Sequence, residues 1–123
     1  MVEIRPAEQR DVEALAVPME DLDHCYGGTD VAPPDQRVRQ IAENLFDEPL
    51  AAYVLLAWED GQLVGMAAYS FLWPAAGGTR SLYLKELYVT EEFRRKGIGA
   101  LLMQRLCQVA VEYEGDGLRR MAP

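Results

Sequence analysis

Apolar and polar residues follow two different periods along the chain, and each change of period predicts a new element. Residues 2–5 alternate between apolar and polar and stop at Pro6, which predicts a short strand. Asp11 then stands as the N-cap of a predicted helix with apolar residues three and four positions apart. Its apolar face comprises Val12, Leu15, Ala16, Met19 and Leu22. Pro18 lies inside this helix, so the sequence predicts a kink or a division there.

A second helix and a hairpin follow. The helix opens at Pro34, and Pro49 forbids its continuation. Residues 52–58 form an apolar run typical of a buried strand, and residues 63–72 form its partner. The turn between them contains Asp60-Gly61, the strongest turn signal in the sequence.

The last part of the chain predicts a strand over 81–89 and a helix over 98–113. Strict alternation places one set of side chains on one face of the strand and the other set on the opposite face. The first set is Leu82, Leu84, Glu86 and Tyr88; the second is Tyr83, Lys85, Leu87 and Val89. The helix carries Ile98, Leu101, Leu102, Leu106, Val109 and Tyr113 at helical spacing. Residues 118–121 indicate the start of another strand.

Between residues 20 and 34 the helical pattern fades, which predicts a loop rich in carboxylates. Glu20, Asp21 and Asp23 in this loop could attract a cationic substrate, but composition alone favours a solvated polar loop. His24 is the single histidine and has no partner at metal-ligand spacing, so no metal site is expected.

Composition narrows the class of protein. With 123 residues, half of them hydrophobic, the chain 1–123 is expected to form one domain. The net charge of −8 argues against nucleic acid as a partner. The sequence has neither a membrane-length apolar run nor a signal-peptide pattern, so a cytoplasmic protein is expected. Cys25 and Cys107 are expected to be free thiols.

A basic, glycine-containing turn joins the predicted strand over 81–89 to the last predicted helix. The first backbone N–H groups of that helix lack intrahelical partners, and the positive end of its dipole faces the turn. Gly97 and Gly99 give a ligand access to these groups, while Arg94, Arg95 and Lys96 add positive charge. The turn is therefore a candidate site for phosphate or pyrophosphate. A solvated basic turn is the alternative.

The order of elements and the turn motif Arg-x-x-Gly-x-Gly after Leu87-Tyr88-Val89 resemble the Gcn5-related N-acetyltransferase (GNAT) family. The resemblance implies an α/β (α+β) fold, a mixed but mostly antiparallel sheet flanked by helices in the order β-α-α-β-β-β-α. A Rossmann site fits poorly because its glycines belong to an early βαβ unit. A P-loop is excluded because no Gly-Lys-Ser or Gly-Lys-Thr triplet is present.

The same resemblance implies acetyl-CoA as the cofactor and an amine as the acetyl acceptor. The backbone of Leu87, Tyr88 and Val89 is expected to pair with the pantetheine arm like an added strand. Arg94 occupies the first motif position. The amides that cradle the pyrophosphate are then those of Arg95, Lys96, Gly97, Ile98, Gly99 and Ala100.

Within the family, Tyr69 to Pro74 and the later Leu82-Tyr83-Leu84 are most similar to the diamine and polyamine acetyltransferases of the spermidine/spermine type. This implies a small cationic acceptor such as a polyamine, a diamine or an aminoglycoside, with Tyr69 among its contacts. Two adjacent carboxylates follow Leu-Tyr-Leu in that subgroup, whereas this chain has Lys85-Glu86. Glu86 alone remains as the candidate general base.

Family members continue with a fifth strand, a helix and a hairpin, of which only residues 118–121 are expected here. A sheet that ends at its fourth strand exposes an edge able to pair with another chain. We therefore expect a homodimer with paired or exchanged strands. The alternative is a truncated CoA-binding module with little or no activity.

Overall fold

Four antiparallel strands lie in chain order across one sheet, β1-β2-β3-β4. The structure is a computed structural model that describes residues 2–25, 33–48, 50–73 and 80–112, without the side chains of residues 23–25. The strands are β1 (Val2–Pro6), β2 (Tyr53–Glu59), β3 (Gln62–Leu72) and β4 (Ser81–Val89), and the helices are α1 (Val12–Cys25), α2 (Pro34–Phe46) and α3 (Ile98–Glu112). This confirms the predicted element order β-α-α-β-β-β-α.

Helices cover both faces of the sheet, and each face has its own apolar core. On one face, α3 packs through Ile98, Leu102, Leu106 and Val109 against Leu55, Ala57, Val64 and Ala67. On the other face, α1 and α2 pack against Val54, Leu56 and Met66. Because successive strand residues point to opposite faces, the continuous apolar runs of β2 and β3 supply both cores.

The predicted hairpin is confirmed. Asp60 and Gly61 both have positive φ, at 50° and 79°, as a type I′ turn requires. The turn connects β2 to β3 so that Glu59 lies opposite Gln62. Residues 118–121 and the links 26–32 and 74–79 lie outside the described part of the chain.

Helix α1 differs from its prediction in its continuity and in its end. It runs as one helix through Pro18, so the predicted alternative of a division there is wrong. It also continues to Cys25, so Glu20 and Asp21 lie on a helix and the predicted loop does not begin at residue 20. The reason is packing, because Leu22 is buried against the sheet and holds the final turns of the helix in place.

The start of α1 is fixed by a buried carboxylate. Asp11 directly precedes the helix, but its Oδ2 accepts hydrogen bonds from the backbone N–H of Glu8 and from Arg5 Nη1, both at 2.7 Å. Arg5 Nη2 donates to the other oxygen at 2.9 Å. Asp11 therefore joins β1 to the turn before α1 and does not act as the predicted simple N-cap.

Strand β4 matches its predicted range, but its predicted faces are wrong. Tyr69 pairs with Leu84 and Ala68 pairs with Glu86, so Lys85 is an extra residue that forms a β-bulge. Leu82 and Leu84 consequently pack on the α3 face, whereas Tyr88 packs on the α1–α2 face. Side chains alternate between the two faces of a strand, so one extra residue moves every side chain on one side of the bulge to the opposite face.

Helix α3 confirms the predicted buried face with one exception. Ile98, Leu102, Leu106 and Val109 are buried, but Leu101 is 41% exposed. Tyr113 lies beyond the described residues. Across the described ranges, no helix combines the length and the apolar composition needed to cross a membrane.

Candidate functional site

The end of β4 and the start of α3 form a tight corner. After Val89, the backbone N–H of Thr90 donates to Val64 O at 3.0 Å, which fixes the corner to β3. A 3-10 turn over Glu91–Phe93 follows. The next residues include two with positive φ, Arg95 at 65° and Gly97 at 82°. These two left-handed residues turn the chain back into α3.

The first turn of α3 presents backbone donors toward this corner. The first intrahelical bond runs from the N–H of Leu101 to the carbonyl of Gly97, at 3.1 Å. The N–H groups of residues 98–100 precede that bond and therefore have no carbonyl one turn earlier in the helix. With the positive end of the helix dipole behind them, they form a surface suited to an anion.

The cations of this turn have different surroundings. Arg94 is exposed but lies back along the corner, because its Nε donates to Val89 O at 2.8 Å and its guanidinium lies 5.6 Å from the centre of the Tyr88 ring. Lys96 Nζ lies 5.1 Å from the centre of the Phe93 ring. Arg94 thus stabilises the corner itself, while Arg95 and Lys96 add further exposed positive charge.

Gly65 on β3 allows α3 to approach the sheet closely at this corner. A Cβ at this position would lie 3.2 Å from both Ile98 Cγ2 and Tyr88 O, and 3.3 Å from Leu102 Cδ1. Sequence reasoning missed this residue. An isolated glycine within a strand is the available signal, since it often marks a close backbone approach.

The bulge at Lys85 brings Glu86 to the α1–α2 face, which is covered by the helix that carries Glu20 and Asp21. Glu86 pairs with Ala68, whose side chain packs in that core, and its own side chain is 19% exposed. The Lys85 ammonium lies 3.7 Å from Glu86 Oε1 and is 67% exposed. Glu86 is therefore half-sheltered on the face that carries α1.

Asp21 lies in direct contact with β4. The hydroxyl of Tyr88 donates to Asp21 Oδ2 at 2.7 Å, across 67 residues of sequence. Glu20 lies beside Asp21 on α1 and lines a cleft between α1 and α2. The side chain of Asp23 lies outside the described residues.

Tyr69 is not brought together with these residues. It is buried on the α3 face, where its ring stacks on Tyr53 at 5.7 Å and meets Phe71 edge-on at 6.0 Å. Burial raises the pKa of its hydroxyl to about 12, so this group stays protonated at neutral pH.

A cavity of about 380 Å³ lies between α1, α2 and the sheet. Its lining is mainly apolar, with Met19 and Met66 among its walls, and it includes the buried Arg37. Ala68, opposite Glu86 in the ladder, forms part of its sheet wall. Sequence patterns gave no sign of this cavity, because its residues read as ordinary core positions.

Residues 16–122 match the family model described as the acetyltransferase (GNAT) family. The chain belongs to this family. The matched region contains α2, β2, β3, β4, the basic turn and α3. The corner between β4 and α3 therefore lies within it, as do Glu86, Glu20 and Asp21.

Individual GNAT relatives and one solved structure agree with this assignment. The chain is 33% identical to a thialysine N-epsilon-acetyltransferase of Sus scrofa over 62% of its own length and 46% of the relative's. It is 30% identical to the spermidine/spermine N(1)-acetyltransferase-like protein 1 of Homo sapiens, over 89% of the chain and 16% of that protein. An integron cassette protein from the mobile metagenome of V. cholerae superposes with a TM-score of 0.81 at 28% identity, covering 91% and 69% of the two chains. The chain thus spans less than half the length of both curated relatives.

Proposed function

We propose that this chain transfers the acetyl group of acetyl-CoA to a primary amine of a small cationic acceptor, such as a polyamine, a diamine or an aminoglycoside, and that it does so in the cytoplasm. The observation that carries the proposal is the corner between β4 and α3. Its exposed helix N-terminus, its two positive-φ residues and its basic side chains combine the features that a pyrophosphate requires.

The residues of this corner fit the cofactor's anionic part. In the proposal, the amides of Arg95, Lys96, Gly97, Ile98, Gly99 and Ala100 bind the pyrophosphate. Arg94 stabilises the turn that carries these amides through its contacts with Val89 and Tyr88. Gly99 leaves room for a ligand, since a Cβ there would meet nothing closer than Leu87 Cδ2 at 3.9 Å.

Strand β4 fits the amide-bearing arm of CoA. Among the described strands it lies at one end of the sheet, with β3 on one side. The backbone groups of Leu87, Tyr88 and Val89 on its outer side are suited to pairing with an extended amide chain, in the manner of an added strand.

Acetyl-CoA, when bound, supplies an acetyl thioester to an attacking amine. An acceptor amine is mainly protonated at neutral pH and must lose a proton before it can attack. We propose that a carboxylate oxygen of Glu86 accepts this proton through a water molecule. The bulge at Lys85 places Glu86 on the face where an acceptor bound near α1 would lie.

The acceptor site in this proposal lies on the α1–α2 face. The carboxylates of Glu20, Asp21 and Asp23 on α1 would attract the cationic acceptor. The cavity beside Ala68 offers apolar walls for the methylene segments of an amine. The names of the two relatives support an amine acceptor. One is a thialysine N-epsilon-acetyltransferase, and the other is a spermidine/spermine N(1)-acetyltransferase-like protein. Tyr69 is left outside this site because its ring lies on the other face of the sheet.

The test combines CoA binding with thiol release. We expect CoA to bind by calorimetry and free thiol to appear with at least one member of a panel of polyamines, lysine analogues and aminoglycosides. Replacing Glu86 with Gln should lower the turnover by roughly 100-fold, the usual scale of general base catalysis, without weakening CoA binding. Lys85→Gln is the matched control on the same strand and should retain activity. Loss of thiol release in the control but not in Glu86→Gln would refute the role of Glu86.

A second candidate function is a CoA-binding module with little or no turnover. The observation that favours this candidate is that the chain covers only 46% and 16% of the lengths of the two curated relatives. CoA binding without thiol release from any amine of the panel would establish this candidate and overturn the enzymatic proposal.

We also propose that two copies of the chain associate through the outer side of the first half of β4, which leaves the backbone of Leu87, Tyr88 and Val89 to the cofactor. Large apolar side chains are exposed there and on the adjacent helix, including Tyr83 at 48% and Met103 at 42%. An exposed strand edge of this kind is a ready template for pairing with another chain.

A further inference from the structure

Tyr88 contacts both halves of the proposed site through different parts of one side chain. Its hydroxyl donates to Asp21 on α1, and its ring lies beneath the guanidinium of Arg94 in the cofactor turn. We propose that Tyr88 is a positioning residue that links the acceptor carboxylate to the CoA turn. This inference rests on the proposed function and deepens it.

The hydroxyl contact is short and sheltered. The distance from Tyr88 Oη to Asp21 Oδ2 is 2.7 Å, and Tyr88 is only 8% exposed. Hydrogen bonds to an ionised acceptor are about twice as strong as neutral ones. A carboxylate has about four lone-pair positions, so Asp21 keeps acceptor capacity for an ammonium while Tyr88 holds its orientation.

The ring of Tyr88 contacts the other half of the proposed site, the cofactor turn. The Arg94 guanidinium lies 5.6 Å from the ring centre, within the range of a cation–π contact, and its Nε donates to Val89 O. Arg94 is thereby held between the Tyr88 ring and the last residue of β4. The position of the turn and the position of Asp21 consequently depend on the same side chain.

A physical consequence follows for ligand binding. A ligand that orders the turn also orders Arg94 and hence the ring of Tyr88, whose hydroxyl then holds Asp21 more firmly. CoA bound at the turn should therefore stabilise the second half of α1, although α1 is remote in sequence. The coupling is carried by contacts between adjacent groups and requires no movement of the sheet.

Tyr88→Phe isolates the hydroxyl, because the ring that fills the core and supports Arg94 is retained. With spermidine as the probe amine, we expect its KM to rise roughly tenfold, the scale of a lost hydrogen bond to a charged group. The affinity for CoA should stay within about threefold, since the ring contact with Arg94 is intact. Tyr83→Phe is the matched control on the same strand and should change neither value.

A double-variant cycle separates positioning from a general structural effect. If Tyr88 acts through Asp21, Tyr88→Phe should raise the KM of spermidine no further in the background of Asp21→Ala. Effects that multiply in the double variant would overturn the inference. So would a Tyr88→Phe chain that lowers turnover and thermal midpoint while leaving the KM unchanged.

Amide hydrogen exchange tests the link without turnover. Addition of CoA should slow exchange in residues 19–22 of the unaltered chain, and this protection should be lost in Tyr88→Phe. CoA binding without any effect on these residues contradicts the inference and leaves the proposed function standing. A chain that binds no CoA contradicts the proposed function, and the inference falls with it.

Discussion

Gly97 is the residue whose backbone conformation most directly shapes the proposed CoA turn. Its φ of 82° is left-handed, and a non-glycine residue there pays roughly 1 to 2 kcal/mol. Gly99 is different, since a Cβ there would make only an ordinary contact at 3.9 Å. We expect Gly97→Ala to lower the free energy of unfolding by about 1 to 2 kcal/mol and Gly99→Ala to change it by less than about 0.5 kcal/mol. Urea unfolding measures both, and equal losses at the two glycines would contradict this account of the turn.

Asp11 should make stability depend on pH. Its hydrogen bonds from Arg5 hold the pKa of the carboxyl below its ordinary value of 3.8, and the same pair raises the pKa of Arg5. A carboxyl with a lowered folded-state pKa contributes stability above its unfolded pKa and loses it as pH falls through the folded one. We therefore expect the free energy of unfolding to fall as pH drops below about 4. The slope should be shallower in Asp11→Asn, as measured by urea unfolding between pH 6 and pH 2.5. An unchanged slope would show that the pair contributes little.

At the scale of elements, the sequence predicted the residue ranges of strands and helices better than the contacts between them. The strand over 81–89 and the Asp60-Gly61 hairpin matched because local turn chemistry and apolar runs determine them. The bulge at Lys85 could not be read from the strand itself, since a charged residue fits an alternating pattern as well as it fits a bulge. The true end of α1 depends on Leu22 and on the Tyr88–Asp21 bond, which joins residues 67 apart.

In the candidate site, too, the features set by neighbouring residues were predictable and those set by distant contacts were not. The turn from Arg94 to Ala100 was recognisable because glycines, cations and a helix start are adjacent in sequence. The contact of Arg94 with Val89 and the separation of Tyr69 from Glu86 were not, because both depend on where the folded chain places each side chain. One bulge decides the face on which each side chain lies for the whole first half of β4.

Gly65 tests how closely α3 must approach the sheet. In Gly65→Ala the new methyl group would crowd Ile98, Leu102 and the carbonyl of Tyr88 at 3.2 to 3.3 Å. The side chains can shift slightly, but the carbonyl belongs to the ladder and cannot do so without cost. We expect a loss of roughly 1 to 3 kcal/mol in the free energy of unfolding, and weaker CoA binding because the start of α3 is displaced. Thermal unfolding and CoA titration provide the two measurements.

For the stability measurement, Gly99→Ala is the control for Gly65→Ala, since it adds the same methyl group to α3 where space exists. A Gly65→Ala chain with unaltered stability and unaltered CoA affinity would show that the first turn of α3 can retreat freely. The close approach would then be incidental to the site.

At the scale of the whole molecule, the acidic chain carries its cationic turn directly after β4, which is the end strand of the sheet among the described residues. The net charge of −8 favours cationic acceptors over nucleic acid, and in our proposal the local cations bind an anionic cofactor. The outer side of the first half of β4 and the exposed side chains near it form the surface through which we propose that copies pair.

Light scattering at high protein concentration measures that pairing. We expect dimers for the unaltered chain and a shift toward monomers in Tyr83→Lys, because a lysine at an exposed strand edge discourages pairing. Val17→Lys is the control, since Val17 is 61% exposed and lies on α1, outside the proposed pairing surface. A clean monomer for the unaltered chain would contradict the proposed pairing.

The central claim is that the turn between β4 and α3 binds CoA, and isothermal calorimetry with CoA tests it most directly. The account predicts saturable binding by the unaltered chain and loss of binding in Gly99→Leu, whose fold should persist because the position has space. Arg95→Ala should weaken binding by roughly 10- to 100-fold, the scale of a charge-assisted hydrogen bond. Unchanged CoA affinity in both variants, or no binding by the unaltered chain, would contradict the claim.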